Sequence, residues 1–215
     1  MAKIAPSILG ADFGHLAEEI HDTDQVGVDW LHLDIMDGHF VPNISFGPSI
    51  VKTIDNLTNK FLDVHLMLSE PEKYFEPFVK AGADSITFHI EVHPEPIKFL
   101  KEIKGLGVQS GLSLNPDTAM EKVLPFLEFS DLLLIMSVFP GFGGQEFIEK
   151  SLERIAVAKK YIVSNKLKTK IAVDGGVSGE NAAQVVVAGA DILVIGSAFF
   201  KSSDRYALTK KIQSL

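Results

Sequence analysis

The strongest constraint in this sequence is an alternation that recurs eight times: a short β-branched or apolar run, then a longer amphipathic segment. The expected strands are residues 3–9, 29–35, 61–67, 85–90, 109–114, 132–138, 170–174 and 192–196. The expected helices are 13–25, 48–56, 72–81, 95–104, 118–126, 146–164, 179–188 and 204–213. Pro48 and Pro71 stand near helix starts, and Gly82, Gly105 and Gly189 follow helix ends. Strict strand–helix alternation implies a parallel sheet, because parallel strands need crossover connections. Eight such units close into a (β/α)8, or TIM, barrel. The competing doubly wound sheet lacks its GxGxxG fingerprint after the first strand. At 215 residues, the expectation is a single α/β barrel domain spanning 1–215. The tetrapeptide AGAD occurs at 81–84 and again at 188–191, a recurring helix-to-strand turn rather than a solenoid repeat.

Composition narrows the function. Apolar residues make up 46% and charged residues 22%, which suits a well-cored globular chain. Without cysteine there is no disulfide, thiolate metal site or cysteine nucleophile, and a cytoplasmic location is expected. The N-terminal MAKIAPSILGADFG has no long apolar core and carries Asp12, so it does not read as a signal peptide. The richest apolar run, 131–138, is strand-sized, so no membrane partner is expected. The net charge is −8 and the 20 Lys and Arg are scattered, which argues against a nucleic-acid partner. A phosphorylated small molecule would have to be held by local backbone amides against that global field.

The chemistry gathers around WLHLDIMDGHFVPNISF, residues 30–46. Alternation along a strand puts His32 and Asp34 on one face and Leu31, Leu33 and Ile35 on the other. A buried imidazole and carboxylate need compensation, from a closed polar network or from a metal ion. Each polar residue alone reads as a satisfied core group. In a barrel, however, active sites lie at the C-terminal strand ends. His32 and Asp34 near the end of the second strand are joined there by His65, ending the third, and Asp174, ending the seventh. Four such groups at one mouth point to a bound divalent cation, with Zn²⁺ or Fe²⁺ suiting two imidazoles and two carboxylates. Strands two and seven are three places apart on the ring, so Asp34 and Asp174 reach its centre from opposite sides. That pairing suits removal of a proton next to a carbonyl on one face and its return on the other, through an enediolate.

Glycine-rich stretches follow three consecutive strands: SVFPGFGGQEF (137–147), DGG (174–176) and GSAFF (196–200). Any one reads as a turn. Together, with Ser197 beside the last, they point to a phosphate held by backbone amides, since no Lys or Arg lies in them. Met36, Met67 and Met136 fall at or just after strand ends, as core filler or as an apolar lining that excludes water. Ser7, ending the first strand, is a candidate substrate contact, while His39, His89 and His93 have no assignable partner and read as structural or solvated.

The motifs IAPSILGADF (4–13), HLDIMDGHFVPN (32–43), HLM (65–67), PGFGGQ (140–145), VDGGV (173–177) and GSAFF together resemble the ribulose-phosphate 3-epimerase family over essentially the whole chain. The resemblance implies interconversion of D-ribulose 5-phosphate and D-xylulose 5-phosphate, a step of the pentose phosphate pathway, with one divalent metal ion per subunit. Zn²⁺ is the first choice, with Fe²⁺, Mn²⁺ or Co²⁺ accepted by the same ligands. It implies metal binding by His32, Asp34, His65 and Asp174, with Asp34 the proton acceptor and Asp174 the donor in one direction. Ser7 and His65 would contact the sugar; Gly141, Phe142, Gly143, Gly144, Gly175, Gly176, Gly196 and Ser197 would contribute to substrate and phosphate binding. The three methionines would line the site, and a homo-oligomer is expected. Phe139 departs from the family pattern, where Asn or Glu often precedes PGFGGQ, which bears on substrate range or subunit contacts. A 3-epimerase for a ketohexose 6-phosphate such as allulose 6-phosphate would use the same groups. A barrel lyase built on Asp-x-Lys fits poorly, because the triplet here is Asp34-Ile35-Met36. A non-catalytic sugar-phosphate- or metal-binding barrel is the third possibility, though two opposed carboxylates exceed what binding requires.

Overall fold

The computed structural model describes residues 1–93 and 95–215. Its strands are β1 Lys3–Pro6, β2 Trp30–Met36, β3 Phe61–Met67, β4 Ser85–His89, β5 Gln109–Leu114, β6 Leu132–Met136, β7 Lys170–Asp174 and β8 Ile192–Ile195. They form one parallel eight-stranded sheet in the order β1-β8-β7-β6-β5-β4-β3-β2. The remaining gap is bridged by a parallel pairing of Ser7 with His32 and by the Asp29 N–H, which donates to the Ile4 carbonyl at 3.3 Å. The expected barrel is therefore what the chain forms.

The α-helices are α1 Leu16–Gln25, α2 Pro48–Asp55, α3 Phe75–Lys80, α4 Pro96–Gly105, α5 Ser151–Ser164, α6 Ala182–Ala188, α7 Ser197–Phe200 and α8 Arg205–Gln213. Three differences from the sequence reading have physical causes. The helix expected over 118–126 is instead two 3₁₀ segments, Met120–Lys122 and Leu124–Phe129. Pro125 has no N–H to donate and its ring would collide with the carbonyl four residues back. The helix expected from 146 begins only at Ser151, because Ile148 N–H donates to the Ser137 carbonyl at 2.9 Å and holds the segment against the end of β6. The first strand stops at Pro6, and Ile8–Gly10 turns into a 3₁₀ segment across the barrel mouth.

Side chains of the strands divide between two cores. One lies between sheet and helices and includes Leu31, Leu33, Val64, Phe75, Phe88 and Ile195. The other fills one side of the barrel interior with Ala5, Leu132, Leu134, Met136, Ala172, Ile192 and Val194. The opposite side of the interior is polar, with His32, Asp63, His65, Ser85, Thr87 and His89 all fully buried.

The two AGAD segments do the same work at equivalent places. Gly82 and Gly189 end their helices at φ +108° and +124°, a conformation that suits glycine. The following Ala83 and Ala190 N–H groups donate back to Phe78 and Val185. The closing aspartates then cap the preceding strand: Asp84 accepts from Leu62 N at 2.8 Å and Asp191 from Ile171 N at 2.9 Å. Asp29 and Asp131 do likewise for Ile4 and Ser110 at 3.1 and 3.0 Å. A carboxylate at the foot of every even strand thus satisfies the foot of the odd strand before it. Asp191→Ala is expected to lower stability by about 1–2 kcal/mol through loss of this charge-assisted bond. The check is a lower urea midpoint at unchanged slope, with Asp191→Asn, which keeps one acceptor oxygen, falling between; an unmoved midpoint would discount the cap.

Candidate active site

At the C-terminal end of the barrel the polar interior opens into a cavity of about 490 Å³. Its floor is built by β2 and β3, which pair in register so that Asp34 sits beside His65 and His32 beside Asp63. Asp34 is the junction. Its Oδ2 accepts from the Ser7 hydroxyl at 2.6 Å, while its Oδ1 faces His65 Nδ1 at 3.1 Å and His32 Nε2 at 3.2 Å. Asp174 enters from β7, across the barrel. One ligand atom from each of His32, Asp34, His65 and Asp174 falls within 4.8 Å of all the others. The four residues picked out by their strand-end positions are thus brought together.

Electrostatics separates the two acids. Burial works to raise the Asp34 pKa, but His32 and His65 beside it win and hold it well below the carboxylate range. Asp174 is pushed up to about 7, by burial and then by the negative charge of Asp34. The protein groups alone thus set the two carboxyls apart in their affinity for a proton. Burial works against a charge on His32, yet Asp34 and Asp63 on either side raise its pKa well above the ordinary value. Burial brings His65 down to about 4 in spite of Asp34, so it is neutral.

The enclosure therefore calls for positive charge beside His32, and a cation can supply it. Asp63 Oδ2 accepts from His32 Nδ1 at 2.8 Å, and Nε2, fully buried, has no hydrogen-bond partner. An imidazole held by a carboxylate at one nitrogen and bare at the other is how metal-ligating histidines are oriented. Two imidazoles and two carboxylates converging on one point fit a divalent cation such as Zn²⁺.

The other residues singled out from sequence take two levels. Ser7, Asp34, Met36, Met67, Met136 and Asp174 line the lower cavity. Gly141, Phe142, Gly143 and Gly144 line it from the loop after β6; Gly175 and Gly176 from the loop after β7; Gly196 and Ser197 from the start of α7. No Lys or Arg is among the lining residues. Gly176 shows why the residue type matters: at φ +64°, a Cβ there would stand 2.3 Å from the Phe147 nitrogen. A Cβ on Gly143 or Gly144 would come 3.8 or 3.7 Å from Ser197 Oγ, so these loops face one another. His32 and His65 lie beneath this level, fully buried and outside the cavity lining.

Sequence reasoning passed over Asp63 and Glu91, and read His89, without an assignable partner, as structural or solvated. Asp63 stands two residues before His65 on a strand, hence on the same inward face, and that spacing was the available signal. His89 Nε2 lies 2.9 Å from His65 Nε2, and His89 Nδ1 lies 3.2 Å from Glu91 Oε2. Glu91 is held at about 2: burial opposes this, but bonds from His89, Thr118 and the Asn115 N–H outweigh it. No sequence periodicity links residues 65, 89 and 91.

The loop after β2 is tied on both sides. Asp37 accepts from the Ser69 N–H at 2.8 Å, joining it to the loop after β3. Asn43 Nδ2 donates to the Gly141 carbonyl at 2.7 Å, joining it to the loop after β6.

A profile of the ribulose-phosphate 3 epimerase family matches residues 3–200. The ribulose-phosphate 3-epimerase of Synechocystis sp. is 50% identical over 201 residues, 93% of this chain and 87% of that protein. The Bacillus subtilis protein of the same name is 45% identical over 214 residues, 99% of each. The chloroplastic ribulose-5-phosphate-3-epimerase of Arabidopsis thaliana is 43% identical over 215 residues, 98% of this chain and 76% of that one. Among solved structures, 3-hexulose-6-phosphate synthase superposes with a TM-score of 0.69 at 17% identity, covering 99% of this chain and 98% of that one. The tryptophan synthase α-subunit of Pyrococcus furiosus gives 0.72 at 15%, covering 100% and 98%. These two similarities concern the barrel alone. By its match to the family profile and its identity to curated members, the chain belongs to the ribulose-phosphate 3-epimerase family.

Proposed function

We propose that this protein interconverts D-ribulose 5-phosphate and D-xylulose 5-phosphate by moving a proton at C3 between Asp34 and Asp174. The observation that carries the proposal is the pair itself: two carboxyls, Asp34 and Asp174, facing one cavity from strands across the barrel. Asp34 takes the C3 proton at Oδ2, the oxygen turned away from the imidazoles, and the Ser7 hydroxyl on that oxygen fixes its direction. Asp174 delivers its proton to the opposite face of the planar enediolate, and the reverse reaction exchanges the roles. His32, Asp34, His65 and Asp174 would hold a divalent cation, with Zn²⁺ the first choice and Fe²⁺, Mn²⁺ or Co²⁺ compatible with the same donors. When bound, it supplies Lewis-acid charge that offsets the negative charge developing on the substrate oxygens. Met36, Met67 and Met136 present apolar surface to the reacting carbon and keep water from it. The phosphate is taken by backbone amides of the loops after β6 and β7 and by Gly196 and Ser197.

The pentose is the proposed substrate over a ketohexose 6-phosphate, in line with the names of the relatives. Met36 stands where a lyase of the Asp-x-Lys type would carry its lysine, so that chemistry lacks its cation. Self-association into a homo-oligomer is proposed as the fate of exposed Ile44 and Phe139, which sit on the two loops joined by Asn43 and Gly141. The cysteine-free composition fits the cytoplasm as the place of action.

Asp174→Asn is expected to keep the fold while lowering turnover by about 10²–10⁴-fold and stopping deuterium uptake from solvent at C3. Near-normal turnover in that variant would sink the two-acid mechanism. Treatment with a chelator should abolish activity, and Zn²⁺, Mn²⁺ or Co²⁺ added back should restore it; activity that survives exhaustive chelation would remove the metal from the reaction. Finally, kcat/KM for ribulose 5-phosphate should exceed that for allulose 6-phosphate, and the opposite order would reassign the substrate.

A further inference from the structure

The buried His89 is not used by the mechanism above, yet it touches the machinery. We infer that His89 and Glu91 form a positioning relay that fixes the proton of His65 on Nε2, leaving Nδ1 as the atom that binds the cation. The inference rests on the reading of His32, Asp34, His65 and Asp174 as a metal site.

Glu91 Oε1 accepts from the Asn115 N–H at 2.8 Å and from the Thr118 hydroxyl, and Arg154 Nη2 braces that segment by donating to the carbonyls of Asn115 and Thr118, both at 2.8 Å. Glu91 is thereby anchored as an acceptor, with Oε2 turned to His89 Nδ1 at 3.2 Å. A carboxylate in that position takes a proton from His89 Nδ1, and a neutral His89 then carries its lone pair on Nε2. The only group facing that lone pair among its hydrogen-bond partners is His65 Nε2, at 2.9 Å. One proton must lie between the two nitrogens, and it belongs to His65. Its Nδ1 is then bare, and it points at Asp34 Oδ1 at 3.1 Å. Two acceptors at that distance repel unless a cation lies between them.

The other histidine of the site is set the same way by one residue, since Asp63 on His32 Nδ1 leaves Nε2 bare. His65 presents its other nitrogen to the site and has a histidine, not a carboxylate, behind it. Glu91 therefore acts at one remove, and His89 transmits its demand for a proton. Both histidines are fully buried, their rings stack at 5.0 Å, and Phe40 lies over His89 at 4.6 Å. No bulk water reaches either imidazole to offer His65 an alternative acceptor.

The test is Zn²⁺ affinity of the full chain, measured by competition with a chelating dye, for the wild type, Glu91→Gln, His89→Phe and His89→Gln. Glu91→Gln changes little in shape but lets His89 hold its proton on either nitrogen, and it should weaken Zn²⁺ by about 10–100-fold. His89→Phe should do at least as much. His89→Gln, whose carbonyl oxygen can accept from His65 Nε2, should recover most of the loss. Nitrogen-15 spectra of histidine-labelled, Zn²⁺-loaded wild type should show His65 protonated at Nε2. Wild-type Zn²⁺ binding that all three variants match would overturn the relay while leaving the metal site standing, as would a His65 proton found on Nδ1. Failure of the wild type itself to bind Zn²⁺ would overturn both.

Discussion

Three carboxyl groups crowd together below the barrel mouth, Asp34 and Asp63 buried and Asp174 half-buried, and most of the local structure exists to compensate them. Two ionised carboxylates within 4.8 Å would repel by about 3–4 kcal/mol even at an effective dielectric constant of about 20. The chain answers with two imidazoles between them, a serine hydroxyl on Asp34 and another on Asp63. It still leaves Asp174 with a raised pKa and His32 with a bare, buried nitrogen. A cation at that point would settle both shortfalls.

That compensation explains the division of the barrel interior. On β6, β7, β8 and β1 the inward positions hold Leu132, Leu134, Ala172, Ile192, Val194 and Ala5, packing that needs no partner. On β2, β3 and β4 they hold a connected polar set running from Asp34 through His65 to His89, and from His32 through Asp63 to Ser85. The polar half supplies oriented donors and acceptors, and the apolar half supplies rigidity and a dry wall. Asp174 is the exception, a carboxyl delivered from the apolar half, its pKa raised by burial and by the charge of Asp34.

The barrel was legible because period-2 and period-3.6 patterns are local, and eight repetitions leave little choice of topology. Where the reading failed, a nonlocal contact or a single ring intervened: Pro125 in place of a helix, or the Ile148–Ser137 bond that delays α5. His32, Asp34, His65 and Asp174 were legible for a related reason, since strand ends converge in a barrel whatever their separation in sequence. The partners behind them were only partly so. Asp63 follows from alternation along β3, but the link from His65 through His89 to Glu91 depends on the tilt of neighbouring strands and on where a short 3₁₀ turn sets Glu91.

The stretch after β2 shows how far the compensation extends. MDGHFVPN begins at Met36, the last residue of β2, and from Asp37 on its residues reach outward to neighbouring loops. Asp37 accepts from three N–H groups, those of His39, Phe40 and Ser69, so the turn is fixed and fastened to the loop after β3. Phe40 is then placed over His89, sealing the polar half of the interior from above. Asn43 carries the chain across to Gly141, in the loop that forms the far wall of the cavity. Ser45 closes the circuit, donating to the Asp34 carbonyl at 2.6 Å and accepting from the Met36 N–H at 3.0 Å. The segment thus ends bonded to the backbone of the same strand that carries Asp34. A movement of the loop after β6 is coupled through Asn43 and Ser45 to the backbone of Asp34, so the groups that would hold the phosphate and the group that would take the proton are parts of one hydrogen-bonded frame.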